Sequence, residues 1–181
     1  MKKFAGWLLK VCGWKVLPFV PTEKKYVIIV APHTSFWDFV VGKLVCVQHG
    51  IPAKFFIKKE FFFFPIRRVL KALGGVPIDR KHAQNVVSYT TELFEKSEEL
   101  VIIITPEGTR KRVEKWKKGY YFIAERAKVP LYTAFMDFKT MDCGIIKQVP
   151  VTGNYEEDFK EIEKIYRGMH GKHPERFNLY P

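Results

Sequence analysis

The sequence predicts a single-domain α/β fold, a mixed, mainly parallel sheet flanked by helices. Three observations predict it. Short β-branched apolar runs alternate with stretches of helical spacing along the 181 residues. A chain of that length makes one domain and buries roughly 70% of its unfolded surface. Hydrophobic residues make up 47% of it, too many for a disordered chain.

Residues 3–17 place Phe4, Trp7, Leu8, Val11 and Trp14 at near-helical spacing, with Lys2, Lys3, Lys10 and Lys15 flanking them. That is the pattern of an interfacial helix. The segment mimics a signal peptide, but Lys10 and Lys15 break its apolar region and no small-residue cleavage site follows. It is read as retained, and residues 1–20 are set apart as an amphipathic element from a domain over 21–181. Residues 26–31 (YVIIVA) predict a buried strand, and 36–49 a helix closed by Gly50. A second strand covers 53–58. Pro65 opens and Gly74-Gly75 closes a short helix over 65–73. Val86, Val87, Leu93 and Phe94 give 82–97 helical spacing. Residues 100–105 (LVIIIT) are the most β-like run. A short helix covers 119–128, strands over 130–138 and 143–149 suit a hairpin, and a helix capped by Asn154 runs over 155–170. Trp116 and the Tyr120-Tyr121-Phe122 run are expected to pack against the sheet. No internal repeat or linker is present, and no apolar run reaches the ~18 uncharged residues of a spanning helix.

The net charge is +12 and the pI near 9.6, which points to an anionic partner. The surplus is clustered. Lys54, Lys58, Lys59, Arg67, Arg68, Lys71, Arg80 and Lys81 are opposed only by Glu60 and Asp79. Six basic residues lie between Arg110 and Lys118. Charge alone suits a nucleic-acid-binding module, but no helix-turn-helix, zinc or RNP-like pattern accompanies it, so nucleic acid is not an expected partner. Cys12, Cys46 and Cys143 are too widely spaced for a disulfide framework, which fits a reducing compartment. The five His are scattered and form no metal-ligand set. Residues 61–66 (FFFFPI), flanked by Lys58, Lys59, Arg67 and Arg68, read either as an apolar wedge with a basic rim or as the lining of an apolar groove.

Three short motifs carry chemistry. His33 lies between a strand and a helix in Ala-Pro-His-Thr-Ser-Phe-Trp-Asp, five residues before Asp38. If His33 sits in the turn rather than in the helix, Asp38 can reach one ring nitrogen. That leaves the other to take a proton from a substrate hydroxyl, which is triad logic without the serine. Thr105-Pro-Glu-Gly-Thr-Arg110 follows the strongest strand, and strand ends are where ligands bind in α/β sheets. Gly108 lets backbone approach a ligand, Arg110 offers a fork for phosphate or carboxylate, and Glu107 can anchor a hydroxyl or orient Arg110. Gly75 to Arg80 is an extended segment ending in a second candidate anion-binding Arg.

In this order and spacing the motifs resemble the glycerolipid acyltransferase family, whose best-known members are the lysophosphatidic acid acyltransferases. H-x4-D is matched by His33 and Asp38, the glycine-to-Arg segment by Gly75 to Arg80, E-G-T-R by Glu107 to Arg110, and the apolar-Pro-apolar stretch by Val129-Pro130-Leu131. The likeness covers about residues 25–135. Pro32 stands where many members have Asn, and Thr133 where a second proline is common. The resemblance implies a glycerolphosphate acyltransferase-like fold. It implies acyl transfer from a coenzyme A or acyl carrier protein thioester to a lysophosphatidic acid-type hydroxyl, in phospholipid biosynthesis. Glycerol-3-phosphate and other lyso-lipids remain alternative acceptors. It implies His33 as general base and Asp38 as its orienter. Arg80 and Arg110 then hold the acceptor phosphate in a site shaped by Glu107, Gly108 and Thr109. No metal or cofactor beyond the acyl donor is implied. The expected location is peripheral, at the cytoplasmic face of an anionic membrane. A lipid-binding protein without activity is the third reading, and the intact His, Asp, Glu and Arg set weighs against it.

Overall fold

The computed structural model describes residues 1–78 and 83–179, with backbone alone at 83–85. In chain order the elements are α1 (Lys2–Val11), β1 (Lys15–Val16), β2 (Lys25–Val30), α2 (Trp37–His49), β3 (Ala53–Lys58), α3 (Ile66–Ala72), β4 (Gly75–Ile78), α4 (Ala83–Lys96), β5 (Leu100–Ile104), α5 (Gly119–Ala127), β6 (Leu131–Asp137), β7 (Asp142–Val149) and α6 (Tyr155–Tyr166). Among the described residues the strands form one sheet in the order β1-β7-β6-β2-β5-β3-β4. Only the β6–β7 pair is antiparallel. This is the mixed, mainly parallel α/β architecture that the alternating runs predict.

Strand β2 is the centre of the sheet, buried on both faces, which is why its run is continuously apolar from Tyr26 to Val30. Its side chains alternate between layers. Val27 and Ile29 join a core with Tyr120, Tyr121 and Ile123 of α5 and Phe159, Ile162 and Tyr166 of α6. Tyr26 and Ile28 join a second core with Cys46 of α2. Val27, Ile28 and Ile29 are fully enclosed, and each such side chain contributes about 1.5–3 kcal/mol relative to exposure. Helix α1 lies outside α2, where Leu9 packs with Val41 and Val45.

Several boundaries differ from expectation. The N-terminal helix ends at Val11 rather than 17, because Gly13 turns the chain at φ +86° and Lys15–Val16 pair with β7. Trp14 therefore leaves the amphipathic face, and packs edge-on against Phe138 in the core. The segment over Gly75–Ile78 is an edge strand beside β3. The last helix stops at Tyr166 instead of 170, because Arg167 is extended. Trp116, Tyr120 and Tyr121 are buried as expected, whereas Phe122 is 39% exposed. The hairpin expected over 130–149 is β6–β7.

The register of two strands fixes where chemistry can occur. β2 and β5 are neighbouring and parallel, with Ile29 opposite Ile104. The loops carrying His33 and Glu107 thus leave the sheet side by side at its C-terminal edge, the usual ligand edge of an α/β sheet.

Candidate active site

Asp38 occupies the first turn of α2, where a carboxylate complements the helix dipole. It is 2% exposed. One of its oxygens, Oδ2, accepts from the Thr34 N–H at 2.7 Å and the Ser35 N–H at 2.8 Å, and lies 3.1 Å from His33 Nδ1. The 33–36 segment folds back over the helix start, as the spacing of the motif requires. The Ser35 hydroxyl accepts from the Trp37 N–H at 3.2 Å, which closes the turn. A carboxylate only accepts, so in the neutral ring Nδ1 carries the hydrogen and Nε2 keeps its lone pair. The His33 side chain remains 19% exposed. The arrangement is that of a base, with one nitrogen anchored and the other available.

Glu107 reaches this turn from the neighbouring loop. Its Oε1 accepts from the His33 N–H at 2.8 Å, so the two motifs are joined directly. Glu107 is 2% exposed, and its Oε2, like Oδ1 of Asp38, has no hydrogen-bond partner among the described residues. Burial pushes its carboxyl up to about 7; the His33 N–H works against the rise and the Asp38 charge adds to it. The unfolded chain gives this group its ordinary value of 4.5, so the folded state holds the proton more tightly. The stability this adds is fully present below 4.5 and is lost as pH rises through about 7. A rise of that size corresponds to about 3 kcal/mol. Glu107→Gln cannot titrate. Urea unfolding across that window is expected to show wild type weakening toward the alkaline side and the variant following a flatter course. Equal slopes would refute a buried protonated Glu107.

The rest of the loop is more open. Gly108 has φ +66°, the left-handed region that favours glycine. Its amide donates to the Thr105 carbonyl at 3.0 Å. Thr109 and Arg110 are exposed, and no ion pair engages Arg110 among the described residues. Ile78 is the last described residue before 83, so Arg80 lies outside the described residues. Pro130 of the fourth motif accepts from the Val27 N–H at 2.9 Å and seats β6 against β2. No group of three His, Cys, Asp or Glu side chains suited to a metal occurs among the described residues.

Sequence reasoning missed Thr34. It is completely buried, and its hydroxyl accepts from the His173 N–H at 3.1 Å. No local signal marks such a contact, since the two residues are 139 apart in the chain. The apolar surface near the site is also clearer in the fold. Phe4, Trp7 and Val11 of α1 are each more than half exposed, while Ala5 and Leu9 on its other side are buried. Phe36 and Trp37, next to the His33 turn, are exposed, as are Phe61, Phe63, Phe64 and Ile66. No helix among the described residues is long and apolar enough to cross a membrane.

A carboxylate-anchored imidazole at the C-terminal edge of a parallel sheet, tied to a Glu-Gly-Thr-Arg loop, defines the class of site. Residues 15–137, which include every part of it, match the Acyltransferase family, and the chain belongs to that family. It is similar to a 1-acyl-sn-glycerol-3-phosphate acyltransferase of Streptococcus pneumoniae (strain ATCC BAA-255 / R6), with 29% identity over 157 residues. That match covers 81% of this chain and 55% of the relative, so the chain spans about half the relative's length. Its fold is similar to the crystal structure of the 1-acyl-sn-glycerophosphate (LPA) acyltransferase, PlsC, from Thermotoga maritima. The TM-score is 0.62 at 17% identity, over 91% of this chain and 74% of that one.

Proposed function

We propose that this chain is an O-acyltransferase. It moves a fatty acyl group from a coenzyme A or acyl carrier protein thioester to a hydroxyl of a lysophosphatidic acid-type acceptor, a step of phospholipid biosynthesis. The observation that carries this reading is the Asp38–His33 pair joined to Glu107 at one sheet edge. Nε2 of His33 takes the acceptor's hydroxyl proton as the oxygen attacks the thioester carbonyl. The carbon–sulfur bond then breaks, and the proton passes to the departing thiolate. Asp38 orients the ring and stabilises the imidazolium formed on the way. Arg80 and Arg110 hold the acceptor phosphate, and Glu107, Gly108 and Thr109 shape that site; a planar guanidinium fork suits a phosphate. The reaction as written needs no metal or further cofactor.

The test follows thiol release from acyl-coenzyme A and from acyl carrier protein, with vesicles containing lysophosphatidic acid, glycerol-3-phosphate or another lyso-lipid. Acceptor-dependent release is expected with lysophosphatidic acid. Its absence with every donor and acceptor pair would sink the assignment.

The acceptor is a lipid, so α1, within residues 1–20, serves as a peripheral, monotopic anchor at the cytoplasmic face, while Lys15–Val16 of that stretch already pair with β7 in the sheet of the acyltransferase domain. The outward Phe4, Trp7 and Val11, and Phe61, Phe63, Phe64 and Ile66 among Lys58, Arg67 and Arg68, support this reading. Phe4→Ser combined with Trp7→Ser leaves the buried Ala5 and Leu9 in place. Flotation with anionic vesicles is expected to fall about tenfold or more, because interfacial binding scales with buried apolar area. Unchanged flotation would remove α1 from the anchor.

A further inference from the structure

After α6, the chain returns across the site. The Tyr166 hydroxyl donates to the carbonyls of Ile29 and Ala134, both at 3.0 Å, and pins the helix end under β2 and β6. His170 is then fastened at the end of β6. Its N–H donates to Asp137 Oδ2 at 3.1 Å, and its carbonyl accepts from the Phe138 N–H at 2.9 Å. Gly171 lies directly on the His33 turn. A Cβ there would stand 2.5 Å from Thr34 Oγ1 and 3.1 Å from Pro32 Cβ, so only glycine permits the approach. The His173 N–H and the Arg176 guanidinium bond the hydroxyl and carbonyl of Thr34, at 3.1 and 3.4 Å.

The same segment then grips the other loop. Arg112 donates to the carbonyls of Glu175 and Phe177 at 3.3 and 2.9 Å, and to the Asn178 side-chain oxygen at 3.2 Å. Trp116 donates to the Asn178 carbonyl at 2.8 Å, and the Asn178 amide donates to the Val113 carbonyl at 2.9 Å.

We propose that residues 170–178 are a positioning strap. They hold the His33 turn in register with the loop that continues from Glu107, and the rate of acyl transfer depends on that hold. The inference rests on the reading of His33 as the general base. Thr34 is the link: its N–H bonds Asp38, its hydroxyl and carbonyl bond the strap, and no water reaches it. Displacing Thr34 moves the oxygen that anchors Nδ1, and a misplacement of about 1 Å is enough to lose about 10²-fold in rate.

The test uses Asn178→Ala and Arg112→Gln, which remove the side-chain bonds at the far end of the strap, and Gly171→Val, which presses on Thr34. For each, kcat, the acceptor KM, the unfolding midpoint and the low-field proton resonance of the His33 Nδ1–H are measured. The expected result is a kcat lowered about 10- to 100-fold with little change in KM. The Nδ1–H resonance should broaden or shift in chains that still unfold cooperatively. A wild-type kcat and resonance in folded Asn178→Ala and Arg112→Gln would overturn the strap, whether or not Gly171→Val folds. A raised acceptor KM with kcat intact would also overturn it, making Arg112 a substrate contact. His33→Ala, assayed alongside, separates the two ideas. Activity in that variant is the failure of the general-base reading, whereas normal strap variants beside an inactive His33→Ala are the failure of the strap alone.

Discussion

His33→Ala is expected to abolish acyl transfer, with kcat lowered by about 10²- to 10⁴-fold, the range general-base help supplies. Its unfolding transition should stay close to that of wild type. The imidazole is partly exposed, and its one side-chain partner among the described residues is Asp38, which keeps the N–H groups of Thr34 and Ser35. Truncation therefore opens no sealed cavity and strands no backbone donor. Acceptor KM should change little, because the ring acts on the hydroxyl proton rather than on the phosphate. Thiol release at the wild-type rate from a folded His33→Ala protein would end the mechanism.

Asp38 is expected to give two separate losses, told apart by two substitutions. Asp38→Asn keeps an oxygen where the three donors converge, so the turn persists and the chain folds. A neutral amide stabilises the imidazolium far less, and kcat should fall on the order of 10³-fold. Asp38→Ala removes the acceptor altogether. The buried N–H groups of Thr34 and Ser35 lose their partner, at about 1–3 kcal/mol apiece, and the protein should unfold at clearly lower denaturant. A fully active Asp38→Asn, or an Asp38→Ala as stable as wild type, would contradict the geometry of the turn.

The features legible in the sequence are those whose cause is local or periodic. β2 and β5 announce themselves because burial on both faces leaves near-continuous apolar runs, residues 26–30 and Leu100–Ile104. The His33–Asp38 contact is legible because five residues just suffice for the chain to fold back over a helix start. β1 was not legible: Lys15–Val16 is a strand only because β7, more than a hundred residues away, offers it an edge. Trp14 read as part of an amphipathic stripe because helical spacing continues past Gly13, although the helix does not. The helical pattern continues past the end of α6 in the same way, although the backbone turns extended at Arg167. The bonds around Thr34 come from a segment with no motif of its own, so spacing could not reveal them.

The place of β2 in the sheet has a consequence for how the molecule is made. Its two hydrogen-bonded neighbours, β5 and β6, both follow much later in the chain. During synthesis this buried ribbon emerges long before either companion exists, with both edges bare. Compaction therefore waits on distant partners, which slows it and favours aggregation of unfinished chains. Chaperone demand in the cell should fall most heavily on the interval between the birth of β2 and the arrival of β5.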